Sequence, residues 1–164
     1  MTKSLRHSFE RALVRSLTIA GVVALAGCNL DVAQAPDSPT DPATETFAPG
    51  LMVDISKMQK TTAGTYYQDL KVGTGATLTP AIGVSVIVSY AGFLKDGAVF
   101  AQALDQLLSI TSLPPGLADG MTGMNEGGER LVVVPSALGY RNVPVPGVPA
   151  NSTLVFDVIL TQLP

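Results

Sequence analysis

Two stretches of the chain alternate hydrophobic and polar residues, which is the period of a β-strand with one buried face. In the first stretch one face carries Val84, Val86, Val88 and Tyr90, and the other carries Ser85, Ile87 and Ser89. In the second stretch one face carries Leu154, Phe156, Val158 and Leu160, and the other carries Val155, Asp157, Ile159 and Thr161. We therefore predict two half-buried strands, one near the middle of the chain and one at its end.

Three shorter runs are also typical of strands: residues 130–134, stopped by Pro135, residues 65–73, and residues 98–103. The last run follows Asp96-Gly97, a pair that favours a hairpin because it tolerates the backbone angles of a tight turn. One helix is predicted over residues 113–124, where Leu117, Met121 and Met124 recur at i, i+4 and i+7. A mostly antiparallel sheet closing over one helix is an α+β fold.

Residues 1–27 have the pattern of a signal peptide, because four basic residues precede the uncharged stretch SLTIAGVVALAG. This stretch is shorter than the roughly 20 apolar residues of a membrane-spanning helix. The sequence LAGC, ending at Cys28, resembles the bacterial lipobox, which implies cleavage before Cys28 and a lipid on its sulfur. The alternative is a small buried cysteine after an uncleaved anchor. We predict a flexible, Pro-rich tether over residues 28–50 and one domain over residues 51–164.

Charge and composition exclude several classes of function. Four of the ten Lys and Arg residues and one of the thirteen Asp and Glu residues lie in residues 1–27, which leaves six basic against twelve acidic residues. Such an acidic chain offers no surface for nucleic acid. The single histidine, His7, also lies there, and Cys28 is the single cysteine. We therefore expect no His-dependent nucleophile, no metal site, no cofactor and no disulfide.

Four segments, in this order, resemble the FKBP-type peptidyl-prolyl cis-trans isomerases. They are TTAGTYYQDLKVGTGA, VIVSYAGFLKDGAVF, LPPGLADGMTGMNEGGERLVVVPSALGY and GVPANSTLVFDVIL, which together run from about residue 62 to 163. The resemblance implies a twisted antiparallel sheet of about five strands wrapped around one short helix. It also implies rotation about Xaa-Pro bonds in an apolar pocket, a reaction that needs no nucleophile, metal or cofactor.

The resemblance also implies which residues form that pocket. The residues that match the family positions in contact with the reacting amide are Tyr90, Phe100, Tyr140 and Phe156. Of these, Tyr140 is expected to reach a substrate carbonyl. The remaining pocket positions are Leu108, Leu113, Pro114, Leu117 and Val148. Taken singly, an aromatic or apolar side chain on the inner face of a strand is better explained by core packing, so only the joint match favours a pocket.

Three positions depart from the family pattern. Ala101 stands where the family has an aspartate, and Leu117 stands where it has the tryptophan that floors the pocket. Pro114 replaces an isoleucine whose backbone N–H reaches a ligand carbonyl, and proline has no N–H. The segment between Phe100 and Leu113 is expected to be a loop shorter than the family's.

These observations support three hypotheses. The first is a prolyl isomerase that assists the folding of exported proteins, with proline-containing polypeptides as partners and a lipid on Cys28 as its membrane contact. The second is a non-catalytic FKBP-like binding or chaperone module, and the third is a purely structural lipoprotein domain. We expect a monomer in the bacterial cell envelope, facing the periplasm. Asn29 is not the aspartate associated with inner-membrane retention, which favours the outer membrane.

Overall fold

A six-stranded antiparallel sheet packs against one short α-helix in the computed structural model, which describes residues 39–79, 81 and 84–164. The strands are β1 (Gln59–Lys60), β2 (Tyr66–Lys71), β3 (Ser85–Leu94), β4 (Val99–Ser109), β5 (Glu129–Val134) and β6 (Leu154–Gln162), and the helix is α1 (Pro115–Met121). The strand order across the sheet is β1-β2-β5-β6-β3-β4. The predicted α+β class is confirmed, and β1 is the strand that the sequence pattern missed.

The inner face of the sheet, defined as the face toward α1, carries the main core. The alternation in β3 and β6 places Val86, Val88, Leu154 and Leu160 on this face, where each is at most 2% exposed. The register pairs Val88 with Leu160 and places both side chains on the same side of the sheet. The predicted inward faces of both strands are therefore confirmed.

Helix α1 is shorter than the predicted 113–124 because of the residues at its two ends. Pro114 and Pro115 open it, and Thr122 leaves the helical conformation with ψ 132°. Two glycines then let the helix lie directly on the sheet. A Cβ at Gly116 would stand 2.5 Å from Val134 Cγ1, and one at Gly120 would stand 2.4 Å from Val132 Cγ1.

Strand β4 corrects the prediction of a loop after residue 103. The strand continues to Ser109, and its register against β3 shifts between Val88 and Tyr90. At this bulge Asp105 has a φ of +45°, an unusual value for a residue other than glycine. The bulge interrupts the alternation that identifies a strand from sequence. The short 3-10 helix Ile110–Ser112 then leads to α1.

The outer face of the sheet is partly covered by the segment 47–58, which lies N-terminal to the sheet. Phe47, Val53 and Ile55 of this segment pack with Leu51 on a second core cluster that contains Leu131, Val133 and Val155. Two 3-10 helices, Pro49–Leu51 and Ile55–Lys57, shape the segment. Val155 is therefore fully buried although the pattern predicted it on a solvent-facing side.

Contacts of the preceding residues differ from the prediction of a tether reaching residue 50. Glu45 forms an ion pair with Lys95 at 3.2 Å and accepts a hydrogen bond from Thr153 Oγ1 at 2.9 Å. Asp41 accepts a hydrogen bond from Tyr66 Oη at 3.1 Å. Polar composition predicts a flexible tether up to residue 50, whereas these two side chains bind residues of the domain that are distant in sequence.

The predicted signal peptide and Cys28 lie outside the described residues. In the part of the chain that the structure describes, no helix combines the length and the apolar character needed to cross a membrane.

Candidate functional site: an aromatic cavity between sheet and helix

A cavity of about 140 Å³ lies between the inner face of the sheet and the chain that enters α1. Strands β3, β4 and β6 supply its walls, the start of α1 supplies its floor, and the chain after β5 closes one side. Its lining residues are Tyr90, Phe100, Ala101, Leu108, Ser112, Leu113, Pro114, Leu117, Tyr140 and Phe156. None of these side chains is charged, so the cavity is an uncharged environment in which aromatic and aliphatic side chains stand beside polar groups.

Phe100 is the centre of the aromatic wall. Its ring lies 5.6 Å from that of Phe156 and 6.4 Å from that of Tyr140, edge to face in both cases. Tyr90 makes a further edge contact with Phe156 at 6.4 Å. Such pairs add about 0.5–1.5 kcal/mol each beyond simple burial, so the rings hold one another in place.

Gly92 of β3 leaves the space that two of these rings occupy. A Cβ at this position would stand 2.8 Å from Phe100 Cζ and 3.0 Å from Phe156 Cε1. Any larger residue would therefore push both rings into the cavity. The glycine is a sequence feature of the site whose role appears only when β3, β4 and β6 are assembled.

The floor and rim of the cavity come from the start of α1. Leu117 is 2% exposed and packs in the main core below the cavity. The carbonyl of Pro114 accepts hydrogen bonds from the N–H groups of Leu117 and Ala118 at 2.9 and 3.1 Å. Neither Pro114 nor Pro115 has an N–H group, so this part of the rim offers no backbone donor to a ligand.

Tyr140 contributes a hydroxyl group at the edge of the cavity. It follows the 3-10 helix Ser136–Leu138, and the N–H of Arg141 closes this turn onto the Ser136 carbonyl at 3.0 Å. Burial raises the pKa of the Tyr140 hydroxyl above its usual value, and the nearby Tyr90 adds to the effect. The group therefore stays protonated at neutral pH and is able to donate a hydrogen bond.

The cavity brings together eight of the nine side chains that the sequence assigned to a pocket. The ninth, Val148, is 2% exposed and belongs to the main core, but it does not line the cavity. Ala101 lines the wall, so no carboxylate stands at that position. Ser112 also lines the cavity and was missed, because a lone serine before Leu113 carries no periodic or chemical signal.

The fold and the cavity define an α+β domain with an uncharged aromatic pocket between sheet and helix. A family model described as FKBP-type peptidyl-prolyl cis-trans isomerase matches residues 77–161, just over half of the chain. The chain therefore belongs to the FKBP-type peptidyl-prolyl cis-trans isomerase family, as its sequence segments indicated.

Individual relatives agree with this assignment. The chain is 39% identical over 105 residues to FK506-binding protein 3 of Candida albicans, covering 61% of this chain and 24% of that protein. It is 34% identical over 110 residues to the FKBP-type peptidyl-prolyl cis-trans isomerase FkpA of Escherichia coli K12, covering 65% and 40%. The chain thus spans less than half the length of these two relatives.

Solved structures share the fold. The crystal structure of FkpA from Escherichia coli matches with a TM-score of 0.60 at 33% identity, over 65% of this chain and 51% of that one. A peptidyl-prolyl cis-trans isomerase from Pseudomonas syringae matches with a TM-score of 0.61 at 25% identity, over 70% of this chain and 86% of that one.

Proposed function

We propose that this protein is a peptidyl-prolyl cis-trans isomerase that acts on proline-containing segments of exported proteins. The observation that carries the proposal is the cavity itself, which gathers Tyr90, Phe100, Leu117, Tyr140 and Phe156 around a space of about 140 Å³. This space is of the size of a prolyl side chain and its neighbouring amide. Family membership supports the same reaction.

The chemistry follows from the polarity of the cavity. Resonance in the Xaa-Pro amide separates charge and gives the C–N bond its rotational barrier of about 18–20 kcal/mol. Transfer from water to an apolar cavity disfavours the charge-separated form, and walls shaped for the twisted amide bind the transition state more tightly than either planar form. Lowering the barrier by only about 4 kcal/mol accelerates the exchange roughly a thousandfold.

Tyr140 is the residue that orients the substrate. Its protonated hydroxyl donates a hydrogen bond to the substrate carbonyl, while Phe100 and Phe156 hold the prolyl ring. Leu117 supports the ring from below. No proton transfer to or from the substrate is needed, which fits a cavity without a carboxylate or an imidazole.

An isomerisation assay tests this proposal directly. Short peptides with leucine or phenylalanine before proline are mixed with micromolar full-length protein, and exchange is followed without a coupling protease. We expect exchange faster than in buffer and a clear loss in Tyr140→Phe. Tyr67→Phe is the matched control, because the Tyr67 hydroxyl donates to Gln59 Oε1 outside the cavity. An exchange rate equal to that in buffer refutes the enzyme.

A second candidate function is a non-catalytic binding module for proline-containing or apolar segments. It is favoured by the missing backbone donors at Pro114 and Pro115 and by the smaller floor at Leu117. Peptide-induced shifts of the Tyr90 and Tyr140 ring resonances, in the absence of any rate acceleration, would identify this function. No response to any proline peptide would leave the third hypothesis, a purely structural domain.

In the same proposal the protein is a monomer held in the cell envelope by a lipid on Cys28, facing the periplasm and favouring the outer membrane. The support is the sequence LAGC after a basic, then apolar, stretch. Mass spectrometry of the protein purified from its cells tests it, since lipidation adds a mass that Cys28→Ser removes. Recovery of Cys28→Ser and wild type in the same soluble fraction would contradict the anchor.

A further inference from the structure

A second groove lies on the outer face of the sheet, on the side away from the aromatic cavity. It has a volume of about 530 Å³, and its lining includes Ser89 and Ala91 of β3, Gln102 and Leu104 of β4, and Asp157 and Ile159 of β6. The segment 47–58 covers the outer face around Leu131, Val133 and Val155 but is absent from this lining. Among the described residues, the segment 47–58 thus leaves this part of the outer face uncovered.

Two apolar side chains that border the groove are unusually exposed to solvent. Leu104 is 87% exposed and Ile159 is 42% exposed. The bulge at Asp105 accounts for Leu104, because it adds an extra residue to β4 opposite Ser89. Asp105 fixes this bulge by accepting hydrogen bonds from Ser89 Oγ at 3.2 Å and Thr161 Oγ1 at 2.9 Å. The protein therefore holds Leu104 outward by a defined set of contacts.

A carboxyl group lies on the groove with one oxygen unpaired. Asp157 Oδ1 is buried and has no hydrogen-bond partner among the described residues. Burial raises the pKa of Asp157, and the carboxylate of Glu129 on the neighbouring strand raises it further. Asp157 as a whole is only half-buried and lines the groove, so its carboxyl group is open to a cationic donor, which would offset the cost of the unpaired oxygen.

The charged side chains on or beside the groove are acidic. Asp105, Glu129 and Asp157 lie on or beside it, whereas strands β3, β4 and β6 contain no Lys, Arg or His. Arg130 of β5 belongs to the inner face, where it pairs with Asp69. Lys71 is the register partner of Glu129 at the far side of β5, beyond the groove lining. Lys57 of the segment 47–58 forms an ion pair with Asp54 at 2.8 Å, and residues 29–56 contain no basic residue.

We propose that this groove is a second binding site, which takes an extended polypeptide segment through one Lys or Arg side chain flanked by apolar residues. The cationic group binds the carboxyl group of Asp157, and the apolar neighbours pack on Leu104 and Ile159. The site needs no proline in the segment. It does not rest on the isomerase proposal, because Leu104, Asp157 and Ile159 lie outside the aromatic cavity, although Tyr90 lines both spaces.

The test uses a fluorescent, proline-free peptide with one lysine between leucines, and the same peptide with glutamine in place of lysine. Anisotropy is measured with the full-length protein. We expect the lysine peptide to bind at least about tenfold more tightly than the glutamine peptide. Both Asp157→Asn and Leu104→Gln should weaken lysine-peptide binding about tenfold. Leu104 is exposed, so Leu104→Gln keeps the test valid even where Asp157→Asn folds poorly.

Asp96→Asn is the matched control, since it removes one carboxylate at the β3–β4 turn and should leave binding unchanged. Equal affinity for the two peptides, or affinity unaffected by both groove variants, overturns the proposal. If the protein dimerises and Leu104→Gln abolishes the dimer, the groove binds a second copy and the proposal is overturned. Preferential binding of a synthetic peptide of residues 29–40 also overturns the proposal. Unlabelled proline peptides that displace the lysine peptide would place it in the aromatic cavity instead.

Discussion

Arg130 and Asp157 lie on neighbouring strands and point to opposite faces of the same sheet, and their surroundings differ. Arg130 is 4% exposed, with Nε bonded to Asp69 at 2.7 Å and Nη1 bonded to the carbonyls of Gly120 and Thr122 at 2.8 and 3.0 Å. Its guanidinium group also stacks on Tyr67. Asp157 has a buried oxygen with no partner among the described residues.

The difference shows on which face of the sheet the buried polar groups find partners among the described residues. On the inner face Arg130 binds the end of α1 to the sheet through the carbonyls of Gly120 and Thr122. On the outer face the segment 47–58 covers one part and leaves an acidic groove open. The polar groups of Arg130 on the inner face are thus paired within the described residues, whereas one carboxyl oxygen of Asp157 on the outer face is not.

The largest effect is expected from removing the hydrogen bonds and the ion pair of Arg130 on the inner face. Arg130→Met should lower the free energy of unfolding by about 3 kcal/mol, because the carbonyls of Gly120 and Thr122 lose their charged donor and Asp69 loses its ion pair. Urea unfolding measures this. Arg141→Met is the control and should cost less than about 0.5 kcal/mol, since Arg141 is exposed. If Arg130→Met and Arg141→Met lower the free energy of unfolding equally, the contacts of Arg130 do not stabilise the protein as stated.

A second test concerns the close contact of α1 with the inner face. Gly120→Ala should destabilise the protein by about 2 kcal/mol, because the added methyl group would overlap Val132 and press on Thr65. Gly50→Ala is the matched control and should be neutral, since nothing lies within 4 Å of its added Cβ. Thermal and urea unfolding of both variants measure the difference. A Gly120→Ala variant as stable as wild type would show that the helix has room to move away.

The floor of the cavity is the next point to test. If the small floor limits catalysis, Leu117→Trp should raise kcat/KM on proline peptides about tenfold, equivalent to about 1.4 kcal/mol of barrier. Leu117→Met, which conserves volume, should leave the rate near that of wild type. If the activity of Leu117→Trp is unchanged, the rate is instead limited by Ala101 or by the missing N–H donor at Pro114.

The smallest effect concerns Asp157 and pH. A pKa raised in the folded state means that folding favours the neutral carboxyl, so the stabilising contribution is complete below the ordinary aspartate pKa of about 3.9 and is lost as pH rises through the higher folded value. Asp157→Asn should therefore gain stability relative to wild type between acidic and neutral pH, by about 0.5 kcal/mol. Unfolding curves at several pH values measure this. A difference that stays constant with pH would contradict it.

Several features could be predicted from the sequence for identifiable reasons. Alternation located β3 and β6, a short apolar run stopped by Pro135 located β5, and the Asp96-Gly97 pair located the hairpin turn, where Gly97 has a φ of +93°. The order of family segments then named eight residues that share one cavity. The family resemblance was needed for this last step, because each of these side chains by itself reads as ordinary core.

Other features could not be read in this way. The bulge at Asp105 broke the alternation, so the second half of β4 was assigned to a loop. Val148 matched the family pattern but is packed in the core outside the cavity. The contacts of Glu45 and Asp41 with the sheet carry no local signal, because their partners are distant in sequence.

By itself, the sequence determined the fold class and the acidic balance of the chain, since periodicity and composition are local properties, and its resemblance to a family supplied the pocket positions. Only the tertiary structure decided which side chains stand together. It put Gly92 beneath the rings of Phe100 and Phe156 and joined Arg130 to the end of α1. It also placed Asp157 on a groove that the segment 47–58 does not line. These are contacts between residues far apart in the chain, which depend on register and on what covers each face.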